Sequence, residues 1–194
     1  MTKVSWKPGT MVYPAPAVLV SCGSKETNDA NIVTVAWIGT VCTEPPMLSI
    51  SVRPTRYSHA IICRHMTFTV NLTTQTMARA VDWCGVKSGR DYDKFKQTGL
   101  TYLPGISNTC CMIGESPLCI ECRVKEILKL GSHDMFIADV INIVADSQYI
   151  DPDTGVFNLE AAGLIAYSHG KYYSLGEQLG HFGFSVKKKG KQTK

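Results

Sequence analysis

The stretch SVRPTRYSHAII, residues 51–62, joins a predicted strand to a predicted helix. The proline within it cannot continue the strand, because proline has no backbone N–H, and Thr55 or Ser58 can cap the helix that follows. Free amides at the helix N-terminus and the guanidinium groups of Arg53 and Arg56 together make an anion site. A capped helix with arginines in solvent explains the same residues, so the stretch alone leaves both interpretations open.

Strands dominate the chain around this junction. Runs of alternating or β-branched apolar residues predict strands, and KLGSH joins the fifth and sixth of them into a long antiparallel hairpin. The predicted strands are 17–22, 31–41, 47–52, 68–72, 118–128, 134–146 and 164–175. Six or more strands without βαβ alternation indicate a closed or nearly closed antiparallel barrel.

Helices interrupt the strands in three places. They are predicted at 58–65, at 76–85, where Gly85 can end the helix, and, as a shorter element, at 91–99. Residues 100–117 carry Gly, Pro, Ser and Asn and predict a long loop, and long loops in compact domains tend to be functional.

Composition favours a single domain. The chain has 194 residues, of which 44% are hydrophobic, enough for one core. We expect one domain over 1–194, with its core at about 12–185 and a basic tail at 186–194. The net charge of +4 arises from five lysines among the last eight residues, and the rest of the chain carries 15 basic and 16 acidic side chains. Such a distribution argues against nucleic-acid binding.

The sequence shows neither a signal-peptide core after Met1 nor an apolar run long enough to span a bilayer, for which about eighteen residues are needed. We therefore expect a soluble cytoplasmic protein with no membrane partner, in which the eight cysteines stay reduced. Glycine-rich nucleotide, hydrolase-elbow and zinc-protease motifs are absent from the sequence, so a Rossmann nicotinamide domain is not expected.

The cysteines raise a separate hypothesis. Cys119 and Cys122 have the C-x-x-C spacing of zinc and iron–sulfur sites. They fall in a predicted strand, where residues three apart point to opposite faces, so we expect no metal site. Cys110 and Cys111 lie in the predicted loop, and an accessible redox thiol there is an alternative.

The order of several short motifs along the chain resembles the flavin reductase-like family of FMN-binding split barrels, in particular its flavoredoxin-type members. The matching pieces are N-x-x-T-x-A-W at 31–37, PP-x-x-S-x-S at 45–51, RPTRYSH at 53–59, F-x-V-N at 68–71, DKF at 93–95, EC-x-V at 121–124, GSHDMFIADV at 131–140 and the closing YYSLGEQLGHFGFS at 172–185. The ordered set, rather than any single piece, carries the resemblance.

This resemblance implies an all-β fold with short helices, a six-stranded antiparallel Greek-key split barrel. It implies a homodimer with one FMN per subunit near the dimer interface, and NAD(P)H as a transient substrate. Electrons would pass through FMN to free flavin, ferric iron or a redox protein, with no catalytic acid or base among the side chains. A carrier with permanently bound FMN and no NAD(P)H turnover, and a flavin-free binding module, are the alternatives.

Five residues are expected around the flavin ring and ribityl chain. Asn31 would meet the polar edge or the ribityl hydroxyls, and Trp37 offers an apolar plane. Thr34 is a further cofactor-binding candidate. His133 would hydrogen-bond the flavin and help to stabilise the anionic reduced form. Tyr167, with Ser168 and the segment 172–184, would complete the pocket within the subunit or in its partner. A turn-capping Asn, a core Trp and a surface His are the ordinary interpretations of the same residues.

Another set is expected around the phosphate. Thr55, Arg56 and Ser58 are the first candidates, and Arg53 is second because it can instead pair with a carboxylate. Lys94, in DKF, is a further candidate cation, with a solvated helix lysine as its ordinary interpretation.

Overall fold

The computed structural model describes residues 1–107 and 109–186. The strands are β1 Ala15–Pro16, β2 Val18–Cys22, β3 Asn31–Val35, β4 Ile38–Cys42, β5 Met47–Val52, β6 Thr67–Asn71, β7 Tyr102–Pro104, β8 Cys111–Ile113, β9 Leu118–Lys129, β10 Asp134–Ala145, β11 Ile165–Ser168 and β12 Lys171–Ser174. The helices are α1 Tyr57–His65, α2 Ala78–Val86 and α3 Lys94–Thr98. Most of the predicted basic tail lies outside the described residues.

The main sheet has seven antiparallel strands in the order β3-β2-β6-β9-β10-β5-β4. The predicted long hairpin is confirmed as β9 and β10, whose pairing shifts register at Ile137/Ala138 and at Val140/Asn142. Register shifts of this kind bend a strand and increase its twist, which helps a sheet to curl into a half-barrel. The predicted all-β split barrel with short helices is thereby confirmed.

The sheet has seven strands because the predicted strand 31–41 breaks at Ala36 and Trp37. Its two parts, β3 and β4, lie at opposite edges of the sheet. The chain therefore passes from one edge to the other over two residues, and the backbone N–H of Ser51 donates to the carbonyl of Trp37. This crossing brings the two edges of the curled sheet together and leaves a split between them.

Two apolar clusters hold the fold together. Strand β2 contributes to both, because alternate residues of a strand point to opposite faces. Val18 and Val20 face the inside of the curled sheet, where they pack with Phe68 and Phe136. Leu19, on the other face, packs in the cluster formed with α2, α3 and β8. Burial on both faces explains why every residue of β2 is buried.

Three further predicted elements differ from the structure. The predicted strand 164–175 is a hairpin, because His169 and Gly170 have φ of 47° and 77° and turn the chain between β11 and β12. The predicted loop 100–117 contains the short pair β7 and β8. The third helix is shorter than predicted: Asp93 caps it by accepting from the N–H of Lys96, and Gly99 ends it at φ 73°.

The predicted caps of the first two helices are wrong. Helix α1 has Arg56 as its N-cap residue and no side-chain cap hydrogen bond, so neither Thr55 nor Ser58 caps it. Gly85 lies within α2, whose C-cap residue is Lys87. In the described parts of the chain, we find no helix of the length and apolar character needed to cross a membrane.

Candidate functional site

A cavity of about 320 Å³ lies in the split between the sheet edges. Residues 33–37 line one side of it and 51–53 line the other, so the crossing from β3 to β4 forms its wall. Helix α2 closes it with Asp82, Gly85 and Val86, and the β11–β12 hairpin adds Tyr167 and Tyr172. The cavity therefore depends on three parts of the fold that are distant in sequence.

A second cavity, of about 230 Å³, adjoins the first. Val33, Arg53 and Arg56 line both, so the two cavities lie side by side. The start of α1, the turn at residues 87–90 and Lys94 form the remaining walls. A backbone hydrogen bond from the N–H of Asp91 to the carbonyl of Ser88 closes this turn.

The second cavity is strongly basic. Its lining includes the five cationic residues Arg53, Arg56, Lys87, Arg90 and Lys94. None of its twelve lining residues, all of which belong to the described ranges, is Asp or Glu. Guanidinium and ammonium groups without a neighbouring carboxylate favour a multiply charged anion, and phosphate matches their geometry.

Lys94 is buried, with 3% of its surface exposed. Its Nζ donates to the carbonyl of Cys84 at 2.7 Å, near the C-terminus of α2, where helix carbonyls lack intrahelical partners. Burial lowers the pKa of Lys94 below its ordinary value, and the charge of Arg56 lowers it as well. An ammonium has three donors, so Lys94 can cap the helix and still bind an anion.

Asn31 and Ser58 form the floor of the second cavity. The Nδ2 of Asn31 donates to the Oγ of Ser58 at 2.7 Å, and both side chains are buried. The backbone of Gly89 packs directly against them: a Cβ there would lie 2.1 Å from the Oδ1 of Asn31 and 2.9 Å from the Cδ1 of Tyr57. Only glycine allows the basic turn to approach this closely.

Thr34 lines the first cavity, but its hydroxyl donates to the backbone carbonyl of Val81 in α2. The Cβ that alanine would place at residue 85 would be 3.3 Å from the Cβ of Thr34. Strand β3 and helix α2 are therefore tightly packed here. Thr34 fixes the wall of the cavity through this bond.

His133 lines the first cavity just before β10 begins. Its Nδ1 lies 2.9 Å from the Oγ of Ser132. Burial lowers the pKa of His133 below 6.5, and the charge of Arg53 lowers it further. Both effects favour the neutral imidazole, which presents a ring nitrogen beside a guanidinium group.

Tyr172 closes the first cavity from the hairpin side. Its hydroxyl donates to the Oδ1 of Asp82 at 3.3 Å. Burial raises the pKa of Tyr172 to about 12, and the charge of Asp82 contributes. The phenol stays protonated at neutral pH, next to Tyr167, whose ring centroid is 5.7 Å away.

All ten site residues predicted from the sequence line one or both of these cavities. Asn31, Thr55, Ser58 and Lys94 line the second; Thr34, Trp37, His133 and Tyr167 line the first; Arg53 and Arg56 line both. Two parts of the site were missed, namely Asp82 and the turn 87–90. The sequence KSGR at 87–90, in which two basic residues flank Ser and Gly, was the available signal for the turn.

The cysteines take no part in the two cavities. The alternative of an accessible thiol at Cys110 or Cys111 is wrong, because both are buried. Burial raises the pKa of Cys110, and that of Cys111 to about 12, which disfavours the reactive thiolate.

Cys119 and Cys122 point in different directions. The Sγ of Cys119 donates to the carbonyl of Ile113 at 3.7 Å, whereas Cys122 packs in the cluster inside the curled sheet. Within residues 1–107 and 109–186, no group of three or more His, Cys, Asp and Glu side chains is arranged to hold a metal ion.

The comparison with known proteins agrees with this geometry. Residues 10–176 match the model of the flavin reductase like domain. The chain belongs to this flavin-binding family. A relative from Pyrococcus abyssi is 28% identical over 131 residues, which is 68% of this chain and 74% of the relative.

Two solved flavoredoxin structures are similar to this chain over nearly its whole length. The flavoredoxin of Desulfovibrio vulgaris (Miyazaki F) is 28% identical, with a TM-score of 0.86 over 95% of this chain and 99% of that one. The flavoredoxin from Methanosarcina acetivorans is 26% identical, with a TM-score of 0.86 over 96% and 100% of the two chains. The flavoredoxin-type resemblance seen in the sequence motifs is confirmed.

Proposed function

We propose that this flavin reductase-like protein binds FMN and passes electrons from NAD(P)H to an acceptor such as free flavin, ferric iron or a redox protein. One observation carries the proposal: the basic second cavity adjoins the larger cavity in the sheet split, and Val33, Arg53 and Arg56 line both. A flat ring with a phosphorylated side chain needs this combination. FMN supplies the hydride and electron chemistry when it is bound.

The residues present fit FMN. Arg56 and Lys94 would bind the phosphate, with Thr55 and Ser58 as further donors from the start of α1. Asn31, fixed by Ser58, would meet the ribityl hydroxyls or the polar edge of the ring. The buried amide and the close approach of Gly89 give this part of the cavity a fixed shape before any ligand binds.

The first cavity would hold the ring. Trp37 offers an apolar surface, and Tyr167 adds a second aromatic ring to the lining. Arg53 and His133 both line this cavity and would stabilise negative charge on the reduced ring. Because the lowered pKa of His133 favours its neutral form, this histidine would act as a neutral hydrogen-bond donor, while Arg53 supplies the charge.

We also propose that the protein forms a homodimer. Both terminal segments expose large apolar side chains: Trp6 and Val12 are 75% and 91% exposed, and Leu179 is 93% exposed. Exposed apolar side chains concentrated in two segments typically mark a protein interface. A second copy of the chain packed against the terminal segments would bury these side chains. Sedimentation at several protein concentrations tests whether the protein is a dimer.

An electron carrier without its own NAD(P)H turnover is the second candidate. The similarity to two flavoredoxin structures, at 28% and 26% identity, favours it. In this case the same two cavities would hold FMN, and a protein partner would reduce and oxidise it.

Flavin absorbance tests these proposals. The purified protein, loaded with FMN and kept anaerobic, is mixed with NADH or NADPH, and the flavin band is followed. Bleaching supports the reductase. Bleaching by dithionite but by neither nucleotide contradicts the reductase and supports the carrier. A colourless protein that also fails to bind added FMN would contradict both and leave a flavin-free binding module.

A further inference from the structure

A cysteine, a histidine and an aspartate meet away from the two cavities. His59 and Cys63 lie four residues apart on α1, so their side chains project from the same face of the helix. Asp134 is the first residue of β10, and its Oδ2 lies 2.9 Å from the Nε2 of His59. None of these three residues lines the first or the second cavity. The cluster is therefore separate from the proposed flavin site.

The imidazole of His59 is held in one orientation. Its Nε2 faces the carboxylate of Asp134, and its ring meets the ring of Phe136 edge-on, with the centroids 5.2 Å apart. Both neighbours are buried. A carboxylate only accepts hydrogen bonds, so Nε2 carries the proton and donates it to Asp134. In the neutral ring, Nδ1 is then left as an acceptor.

The thiol of Cys63 faces this acceptor. Its Sγ lies 3.7 Å from the Nδ1 of His59, a hydrogen-bond distance for sulfur. The thiol therefore donates to the imidazole, which in turn donates to the carboxylate. A nucleophile, a base and a carboxylate that orients the base form the arrangement by which a histidine activates a cysteine or a serine. Cys63 is partly exposed, so a small reagent can reach it.

Cys63 needs such a base in order to react. Burial raises the pKa of its thiol above the ordinary value, and the charge of Asp134 raises it further, whereas the charge of Lys129 lowers it. Little thiolate therefore forms in advance near neutral pH. Once the proton is removed, however, a thiolate of higher pKa is the stronger nucleophile. The base in contact with the thiol thus decides whether Cys63 reacts.

Cys42 offers a comparison within the same chain. It is partly exposed, as Cys63 is, but its Sγ donates to the backbone carbonyl of Glu44 at 3.4 Å. A backbone carbonyl does not act as a base towards a thiol. The six remaining cysteines, all within the described ranges, are buried. Cys42 and Cys63 therefore differ chiefly in the group that accepts from the thiol.

We propose that Cys63 is a modification site that forms mixed disulfides with small disulfides. The Sγ of Cys63 attacks one sulfur of the disulfide while the Nδ1 of His59 takes the thiol proton. A bond forms between these two sulfurs, and the disulfide bond of the reagent breaks. The second sulfur leaves as a thiolate and receives the proton from the imidazolium, so one thiol is released for each mixed disulfide formed. Asp134 is a positioning residue that orients His59 and stabilises its imidazolium.

The rate of thiol release tests the proposal. The full chain is mixed with dithiodipyridine, a small neutral disulfide, and the released thiopyridone is followed by absorbance. Cys42→Ser leaves Cys63 as the partly exposed thiol, and Cys63→Ser leaves Cys42. We expect Cys63 to react about tenfold or more faster than Cys42 near neutral pH, because a positioned general base contributes about 10²- to 10⁴-fold and burial offsets part of this gain. Peptide mass spectrometry locates the mixed disulfide.

Three variants in the Cys42→Ser background test the cluster. His59→Gln removes the base but keeps an amide donor for Asp134. It should slow thiol release about tenfold or more near neutral pH, and the deficit should shrink as pH rises, because hydroxide then ionises the thiol without the imidazole. Asp134→Asn should act in the same direction, because its amide can donate to Nε2 and leave the proton on Nδ1. His65→Gln is the matched control and should react at the wild-type rate, because His65 lies on the same helix but pairs with Asp29 at 2.7 Å.

The outcomes decide between a reactive thiol and a structural hydrogen bond. Equal rates for Cys63 and Cys42, or no reaction of Cys63 before the protein unfolds, would overturn the proposal. A fast Cys63 whose rate is the same in His59→Gln would also overturn it. The comparison of the two thiols leaves the His59–Asp134 pair intact, so it remains decisive even if the cluster variants fail to fold. The reaction needs no flavin, so its failure would leave the proposed function standing.

Discussion

Lys94, which is buried between α2, α3 and the basic second cavity, offers the sharpest test of the phosphate site. Lys94→Met keeps much of the side-chain volume and removes the charge. If Lys94 donates to the phosphate, the variant should lose a charge-assisted hydrogen bond of about 1.5 to 3 kcal/mol, which lowers FMN affinity by about 10- to 150-fold. Riboflavin lacks the phosphate, so its affinity should change little. The ratio of the two affinities, measured by flavin fluorescence quenching, isolates the phosphate contact.

Lys94→Met should also change the free energy of unfolding, independently of its effect on FMN affinity. The carbonyl of Cys84 loses the donor that now lies at 2.7 Å, and an unsatisfied buried carbonyl costs about 1 to 3 kcal/mol. Removal of a buried charge offsets part of this cost, because the lowered pKa of Lys94 shows that burial disfavours the ammonium. We expect a net loss of less than about 2 kcal/mol in urea denaturation.

The pH dependence gives an independent measurement. The pKa of Lys94 in the folded chain lies below 10.5, its ordinary value in the unfolded chain. Between these two pKa values, the unfolded chain therefore binds more protons than the folded chain. Stability contributed by this residue therefore rises as pH rises through that window. FMN affinity should fall over the same window, because the phosphate loses its cation, and Lys94→Met should abolish both dependences.

Lys96→Met is the control for this series, because Lys96 lies on the same helix but is exposed. It should leave the ratio of FMN to riboflavin affinity at the wild-type value. If Lys94→Met also leaves that ratio unchanged, Lys94 is only a helix cap and its assignment to the phosphate site is refuted.

Three further results are expected. Gly89→Ala should weaken FMN binding at least tenfold, because the new Cβ would lie 2.1 Å from the buried amide oxygen of Asn31. Gly39→Ala is the control and should leave FMN binding unchanged, because nothing lies within 4 Å of its Cβ. Equal effects of the two substitutions in a titration would contradict the packing argument. Arg56→Ala together with Ser58→Ala should weaken FMN binding by about 2 to 4 kcal/mol, and an unchanged dissociation constant would remove both from the phosphate site. Burial raises the pKa of Asp29, but hydrogen bonds from Thr27 and His65 outweigh it and hold the pKa below 3.8. The stability that Asp29 contributes is therefore present above pH 3.8 and is lost as the pH falls through the pKa of the folded state. Asp29→Asn should make stability depend less on pH in acid unfolding followed by circular dichroism.

The sequence predicted the strands and the family because their signals are local. Alternation at the start of β10, in the long hairpin, reflects burial of one face, which any folded chain must satisfy. The ordered motifs likewise selected ten site residues, all of which line the two cavities. Two predicted strands were wrong where a short irregular segment interrupts them, at Trp37 and at His169, because periodicity does not report a change of direction.

The sequence by itself thus determined most of the elements, the antiparallel barrel and the residue types at the start of α1. Only the tertiary structure decided that the two edge strands meet at 36–37, that Gly89 carries a basic turn onto Asn31, and that Cys110 and Cys111 are buried. The physical reason is distance along the chain. Local patterns record which face of an element is apolar, but contacts between residues fifty or more positions apart depend on how the sheet curls and on which elements pack across its split.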